Sequence, residues 1–254
     1  MLRLSGKVAF ITGGGTGIGK ACAIAFAREG AKLAIAGRRP EPLAAVVKEI
    51  GAGGGEAIAL PCDVTDRAAV EDALAKTEKR FGGLDIVVNN AGAVVVATAE
   101  TTSDEDWNRV LATSLTGTFF VSRAALPALR RAGGGVIVNI GSILGIVARK
   151  DRAAYCAAKA GVGGLTRAMA LDHAGDKIRV NCICPTIVET DLGMHAMAKN
   201  PDARAEREKR IAEIPIGRMG TPEDVAMMAV YLASDEASWV TGASFPLDGG
   251  LTAY

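Results

Sequence analysis

The stretch Val8-Ala9-Phe10-Ile11-Thr12-Gly13-Gly14-Gly15-Thr16-Gly17-Ile18-Gly19 decides the fold. It opens as an uncharged apolar run, the signature of a strand buried on both faces. It breaks at a cluster of glycines and continues with apolar residues at Ile18, Ala21, Cys22, Ala25 and Phe26, the spacing of one face of a helix. Glycines at such a junction let the backbone come close to a ligand, because no Cβ stands in the way. The first turn of the helix then offers unpaired N–H groups and the positive end of its dipole. Together these make a turn suited to a pyrophosphate, carried by Gly13, Gly15, Thr16, Gly17, Ile18 and Gly19. A glycine-rich run alone would equally be a tight turn, and the strand before it and the helix after it give it meaning. The spacing is GxxxGxG and not GxGxxG, because position 18 is isoleucine.

The next apolar run ends at Gly37-Arg38-Arg39. In a dinucleotide-binding fold an acidic residue at this place binds the ribose 2′-hydroxyl of NAD, whereas an arginine accommodates the 2′-phosphate of NADP. The acid is absent and two arginines stand there, so Arg38 and Arg39 predict NADP(H), through paired guanidinium–phosphate hydrogen bonds.

Short apolar runs at 8–11, 33–36, 57–60, 86–88, 136–140, 180–183 and 244–247 alternate with helical patterns at 17–29, 42–50, 67–80, 105–131, 153–173 and 222–234. Asp66, Ser103 and Thr221 stand where N-caps belong. Strand–helix alternation through the whole chain predicts βαβ units. The expected fold is α/β: a Rossmann-type, doubly wound, seven-stranded and mainly parallel sheet with helices on both faces, in one domain spanning 1–254.

Composition narrows the function. With 29 basic and 28 acidic residues the net charge is +1, and no basic stripe exists to displace counterions from a nucleic acid. No run of about 18 uncharged apolar residues is present to span a bilayer, and Met1–Lys7 lacks the apolar core of a secretory signal. Five cysteines without CxxC spacing and two scattered histidines argue against a disulfide framework or a zinc site. A cytoplasmic location is expected, with a small-molecule substrate and no nucleic-acid or membrane partner.

The reactive groups come from Tyr155-Cys156-Ala157-Ala158-Lys159, in which i,i+4 spacing puts a phenol and an ammonium on one helix face. A nearby ammonium favours phenolate, which suits such a pair to proton exchange with a carbonyl/alcohol couple. Ser142 ends the fifth apolar run in Asn139-Ile140-Gly141-Ser142. Strand C-termini are where open α/β sheets bind ligands.

The chain resembles the short-chain dehydrogenase/reductase superfamily over essentially its whole length. The likeness is carried by the glycine loop, by Asn89-Asn90-Ala91-Gly92, by Ser142, Tyr155 and Lys159, and by the closing Pro246-Leu247-Asp248-Gly249-Gly250. It implies that Tyr155 moves the substrate proton, Ser142 positions the carbonyl, and Lys159 supports the phenol and holds the nicotinamide ribose. It also implies adenine contacts from Asp63 and Val64, a cofactor groove lined by Asn90 and Gly92, and a carboxamide held by Val188 and Thr190. Hydride then passes directly between nicotinamide and substrate carbon, with no metal. Two departures stand out. Ser114 occupies the place of the asparagine that the family uses to hold a relay water, a catalytic role that the resemblance extends to Ser114 because a serine hydroxyl also bonds water, and Pro185-Thr186 replaces the usual Pro-Gly.

The likeness further implies a substrate lid at about 190–215, holding Met194, His195, Met197 and a charged, helix-like run over 201–213. Apolar pocket walls are expected at 143–147 and 93–96. Arg149, Lys150 and Arg152 are either solvated or poised for an anionic handle such as an acyl-carrier phosphate. Family members are commonly homotetramers, and the resemblance is nearest to 3-oxoacyl-thioester and related ketone reductases. The alternative is an NADPH-binding regulator or scaffold with little turnover, suggested by Ser114 and Thr186.

Overall fold

A computed structural model describes residues 2–198 and 202–253, and leaves out the side chains of 195–198 and 203. His195 and Met197 therefore lie outside the described side chains, and Pro201 outside the described residues. Seven strands form one sheet: β1 (Val8–Thr12), β2 (Lys32–Gly37), β3 (Ala57–Pro61), β4 (Ile86–Asn89), β5 (Gly135–Ile140), β6 (Ile178–Pro185) and β7 (Ser244–Leu247). Their order is β3-β2-β1-β4-β5-β6-β7, and every pairing is parallel, where a mainly parallel sheet was expected.

The sheet is buried on both faces because its strands alternate between two cores. Ala9 and Ile11 pack with α1 (Gly17–Arg28), α2 (Pro40–Ala52) and α9 (Pro222–Ala233) through Phe26, Val46 and Val230. Val8 and Phe10 face the other way, onto α3 (Arg67–Phe81), α5 (Gly117–Arg131) and α6 (Ala153–His173) through Leu74, Val121 and Met169. Both sides of β1 are thus apolar, as its uncharged run requires. Asp66 caps α3 through Ala68 and Ala69, and Thr221 and Asp224 form a reciprocal capping box on α9.

The single helix expected over 105–131 is corrected. It is divided into α4 (Asp104–Leu111), a π-helical turn (Ala112–Thr116) and α5. Gly117, just after the turn, lies so close to the β3–α3 connection that a Cβ would meet Val64 Cγ2 at 2.6 Å. The wider turn therefore lets the continuing helix approach Val64 while setting Ser114 inward, where it is buried. The lid region contains α7 (Asp191–Ala198) and α8 (Ala203–Ala212), the latter inside the expected charged run. The chain runs outward from β1 through β2 to β3 and then crosses back through α3 to β4 on the other side of β1, so the winding reverses there and a crevice opens at the C-terminal ends of β1 and β4.

Candidate active site

The glycine loop is held to that crevice from β4. Thr12 Oγ1 accepts hydrogen bonds from the N–H groups of Asn90 (2.9 Å) and Ala91 (3.0 Å), and Asn90 Nδ2 donates to the carbonyls of Thr12 (3.0 Å) and Gly13 (3.2 Å). Gly13 has φ +64°, and a Cβ there would meet Asn90 Nδ2 at 2.7 Å. Thr16, the N-cap of α1, makes no side-chain cap, and the first turn of α1 holds no acidic residue. In contrast, α4 and α9 are capped by side chains and carry acids in their first turns. The N-terminus of α1 is thus left ready for an anion, which fits the phosphates of a dinucleotide.

Ser142 follows β5 and caps a short turn, Ile143–Gly145, with Leu144 N donating to its Oγ at 3.1 Å. Among the described residues its own hydroxyl donates only to the distant Pro185 carbonyl, 3.5 Å away. Across the cavity, α6 is anchored by Ala154 and Ala158, which are fully buried beside Val95 and Val110. That anchoring turns Tyr155 and Lys159 toward Ser142. The Lys159 ammonium is buried, donates to the Ile140 carbonyl at 2.6 Å, and lies 5.7 Å from the centroid of the Tyr155 ring. Among the described residues the Tyr155 hydroxyl makes no hydrogen bond. Ile18, Asn90, Gly92, Ser142, Tyr155, Lys159, Val188 and Thr190 line one cavity.

The remaining candidates lie around it. Thr190 touches the glycine loop, since a Cβ on Gly17 (φ +52°) would sit 3.1 Å from its Cγ2. Arg38 and Arg39 are exposed just past β2. Asp63 accepts from Thr65 N (2.9 Å) and Thr65 Oγ1 (2.8 Å), while Val64 is buried. Ser114 sits behind the cavity wall: its Oγ accepts from Ala93 N (3.1 Å) and donates to Ala93 O (3.3 Å). A Cβ on Gly92 would lie 3.5 Å from Ser114 Oγ and 3.8 Å from Lys159 Nζ, so both groups border the same glycine.

Sequence reasoning missed three features. Gly145 is one, because a Cβ there would be 2.7 Å from the Lys159 carbonyl, and the turn bearing Ser142 could not reach α6. A buried ladder is the second: Asn89 Nδ2 donates to Asn139 Oδ1 (2.8 Å) and Ser122 Oγ (2.9 Å), and Asn139 Nδ2 to Thr166 Oγ1 (2.9 Å). It ties β4, β5, α5 and α6 together beneath the site. The third is Arg210, whose place in a charged surface run gave no hint that it lines the cavity. The cysteines are free. Burial pushes the thiols of Cys22 up to about 12 and Cys62 up to about 11, which keeps them protonated and unreactive.

A doubly wound parallel sheet with an anion-ready glycine turn at its switch point, beside a serine, a free phenol and a buried ammonium, is the framework of a nicotinamide-dependent oxidoreductase. The family model described as "Enoyl-(Acyl carrier protein) reductase" matches residues 13–252. The 2-(S)-hydroxypropyl-CoM dehydrogenase 3 of Xanthobacter autotrophicus is 41% identical, over 99% of this chain and 98% of its own. A 3-oxoacyl-[acyl-carrier-protein] reductase of Thermotoga maritima is 39% identical, over 98% of this chain and 99% of its own. The crystal structure of levodione reductase matches with a TM-score of 0.96 at 34% identity, over 99% of both chains. The chain belongs to the short-chain dehydrogenase/reductase superfamily. It is an oxidoreductase of a CH–OH/C=O pair, working with a nicotinamide cofactor.

Proposed function

We propose that this protein is an NADP(H)-dependent oxidoreductase interconverting a ketone and a secondary alcohol, with 3-oxoacyl thioesters among the candidate substrates. The observation that carries the reading is the convergence of Ser142, Tyr155 and Lys159 on one cavity that also reaches Ile18 of α1 and Thr190. A bound nicotinamide supplies or takes the hydride. In the reducing direction Tyr155 gives its hydroxyl proton to the carbonyl oxygen, and Ser142 donates a hydrogen bond to the same oxygen. Lys159 keeps a positive charge beside the phenol as it becomes phenolate, and bonds the nicotinamide ribose. Gly13, Gly15, Thr16, Gly17, Ile18 and Gly19 receive the pyrophosphate, Asp63, Val64, Asn90 and Gly92 line the rest of the groove, and Val188 and Thr190 take the carboxamide. Ser114 is a positioning residue: through Ala93 it fixes the backbone next to Gly92.

NADP over NAD is supported by Arg38 and Arg39, exposed past β2 with no acid in Gly37-Arg38-Arg39. Arg38→Asp is expected to weaken NADPH by about 10- to 100-fold, the scale of one or two charge-assisted hydrogen bonds, and to weaken NADH far less. Fluorescence titration of both cofactors checks this, and equal losses would remove the phosphate clamp. NADPH oxidation against a panel of ketones tests the activity itself. Tight NADPH binding with no turnover on any of them would favour the regulator. No described helix is long and apolar enough to cross a membrane. Free, mostly buried thiols support a cytoplasmic location, and exposed Trp107 and Phe119 on α4 and α5 support assembly as a homotetramer through α4, α5 and α6.

A further inference from the structure

Three arginines line the same cavity as Ser142 and Tyr155: Arg149 and Arg152 from the segment before α6, and Arg210 from α8. Aliphatic or aromatic residues would be enough to hold a neutral ketone, so three guanidinium groups call for a reason.

Their charges are unequally matched. Arg149 Nη2 pairs with Glu213 at 2.5 Å, and Arg210 Nε with Glu206 at 2.5 Å. Arg210 Nη1 is buried without a hydrogen-bond partner among the described residues and stands 3.9 Å from Glu213. Arg152 makes no ion pair among the described residues; its one hydrogen bond runs from Nη1 to the Asp151 carbonyl at 2.8 Å. Burial lowers the Arg152 pKa, the sign of a charge that is poorly compensated. Arg152 is also the N-cap of the 21-residue α6, which has no side-chain cap and no acid in its first turn. The α6 N-terminus, a partly buried Arg152 guanidinium with no carboxylate partner among the described residues, and an Arg210 N–H group with no acceptor among them belong to residues that line one cavity. Arg152 lies three residues before Tyr155, about one helical turn along the chain.

We propose that Arg152 and Arg210 form an anion subsite, so that the substrate is a short hydroxy or oxo compound bearing a carboxylate, sulfonate or phosphate. The cavity then holds both the reacting carbonyl, at Tyr155, and the anionic group, at the arginines. Arg149 takes no direct part. It ties the end of α8 to the segment before α6 through Glu213, the carboxylate that also stands 3.9 Å from Arg210 Nη1. The inference rests on reading this cavity as the substrate site.

The test has two arms on the intact protein. In the first, kcat/KM with NADPH is compared for acetoacetate and its neutral methyl ester, and likewise for 3-oxobutane-1-sulfonate and 3-oxobutyl phosphate, in the wild type, Arg152→Gln and Arg210→Gln. The wild type is expected to favour an anion by at least ten-fold, and each glutamine variant to cut that ratio about ten-fold or more through KM. Arg152→Lys is expected to restore part of it. In the second arm, calorimetric titration of the NADPH-loaded protein with butanoate, butane-1-sulfonate and neutral butanamide reads binding without turnover. Anion binding that the variants lose supports the subsite even if no ketone is reduced, an outcome that would sink the reductase reading alone. Equal binding of butanamide and the anions in the wild type, or variants that leave the anion-to-neutral ratios unchanged, would overturn the subsite.

Discussion

Tyr155→Phe is expected to lower kcat by about 10²- to 10⁴-fold, the usual worth of a positioned proton donor, while NADPH affinity stays within a few-fold of the wild type. The separation follows from the environment of the side chain. Its ring packs with Ala154, Ala158, Val95 and Val110, contacts that phenylalanine retains. Its hydroxyl bonds no described residue, so removing it breaks no hydrogen bond of the fold and leaves no buried group unsatisfied. The loss then falls on the chemical step alone, and single-turnover NADPH oxidation with thermal unfolding alongside reads both quantities. Unchanged turnover would take Tyr155 out of the mechanism. A parallel loss of NADPH affinity would recast it as part of the cofactor wall.

Gly19→Ala is expected to destabilise the protein by about 3 kcal/mol or more, at or above the upper end of ordinary overpacking, and to abolish NADPH binding. The methyl group would stand 2.1 Å from the Gly13 carbonyl oxygen and 2.5 Å from Asn90 Nδ2. Neither neighbour can retreat cheaply. The Gly13 carbonyl belongs to the turn itself, and Asn90 Nδ2 is committed to the Thr12 and Gly13 carbonyls. Gly51→Ala is the control, because its Cβ would meet nothing within 4 Å. That change is expected to stabilise by about 0.4–1 kcal/mol, through loss of freedom in the unfolded chain. Urea unfolding separates the two, and a Gly19→Ala midpoint equal to the wild type would contradict the close-packed loop.

Much of this was legible in the sequence because the signals are local. An uncharged run such as Val8–Ile11 reads as a strand covered on both sides, and GxxxGxG is informative because a strand precedes it and a helix follows. Tyr155 and Lys159 share a face by helical periodicity alone. What stayed hidden depends on distant partners. The strand expected over 180–183 extends to Ile178–Pro185 because Ile178 and Arg179 pair with Gly135 and Val136 of β5, and Cys184 and Pro185 with Pro246 and Leu247 of β7. The π-helical turn at Ala112–Thr116 leaves no mark on periodicity, since Val110, Leu111 and Leu115 read equally well as one α-helix. Arg210 reads as surface charge until α8 folds over the cavity, and the need for glycine at 145 exists only once α6 is in place.

The central claim is direct hydride transfer at the carbon whose oxygen Tyr155 protonates. It is tested most directly with NADPH carrying deuterium at both C4 positions of the nicotinamide and a ketone turned over in ordinary water. The expected product is an alcohol with deuterium on the carbinol carbon and a solvent-derived proton on its oxygen. An alcohol with protium at that carbon, or deuterium released to solvent, would contradict the account.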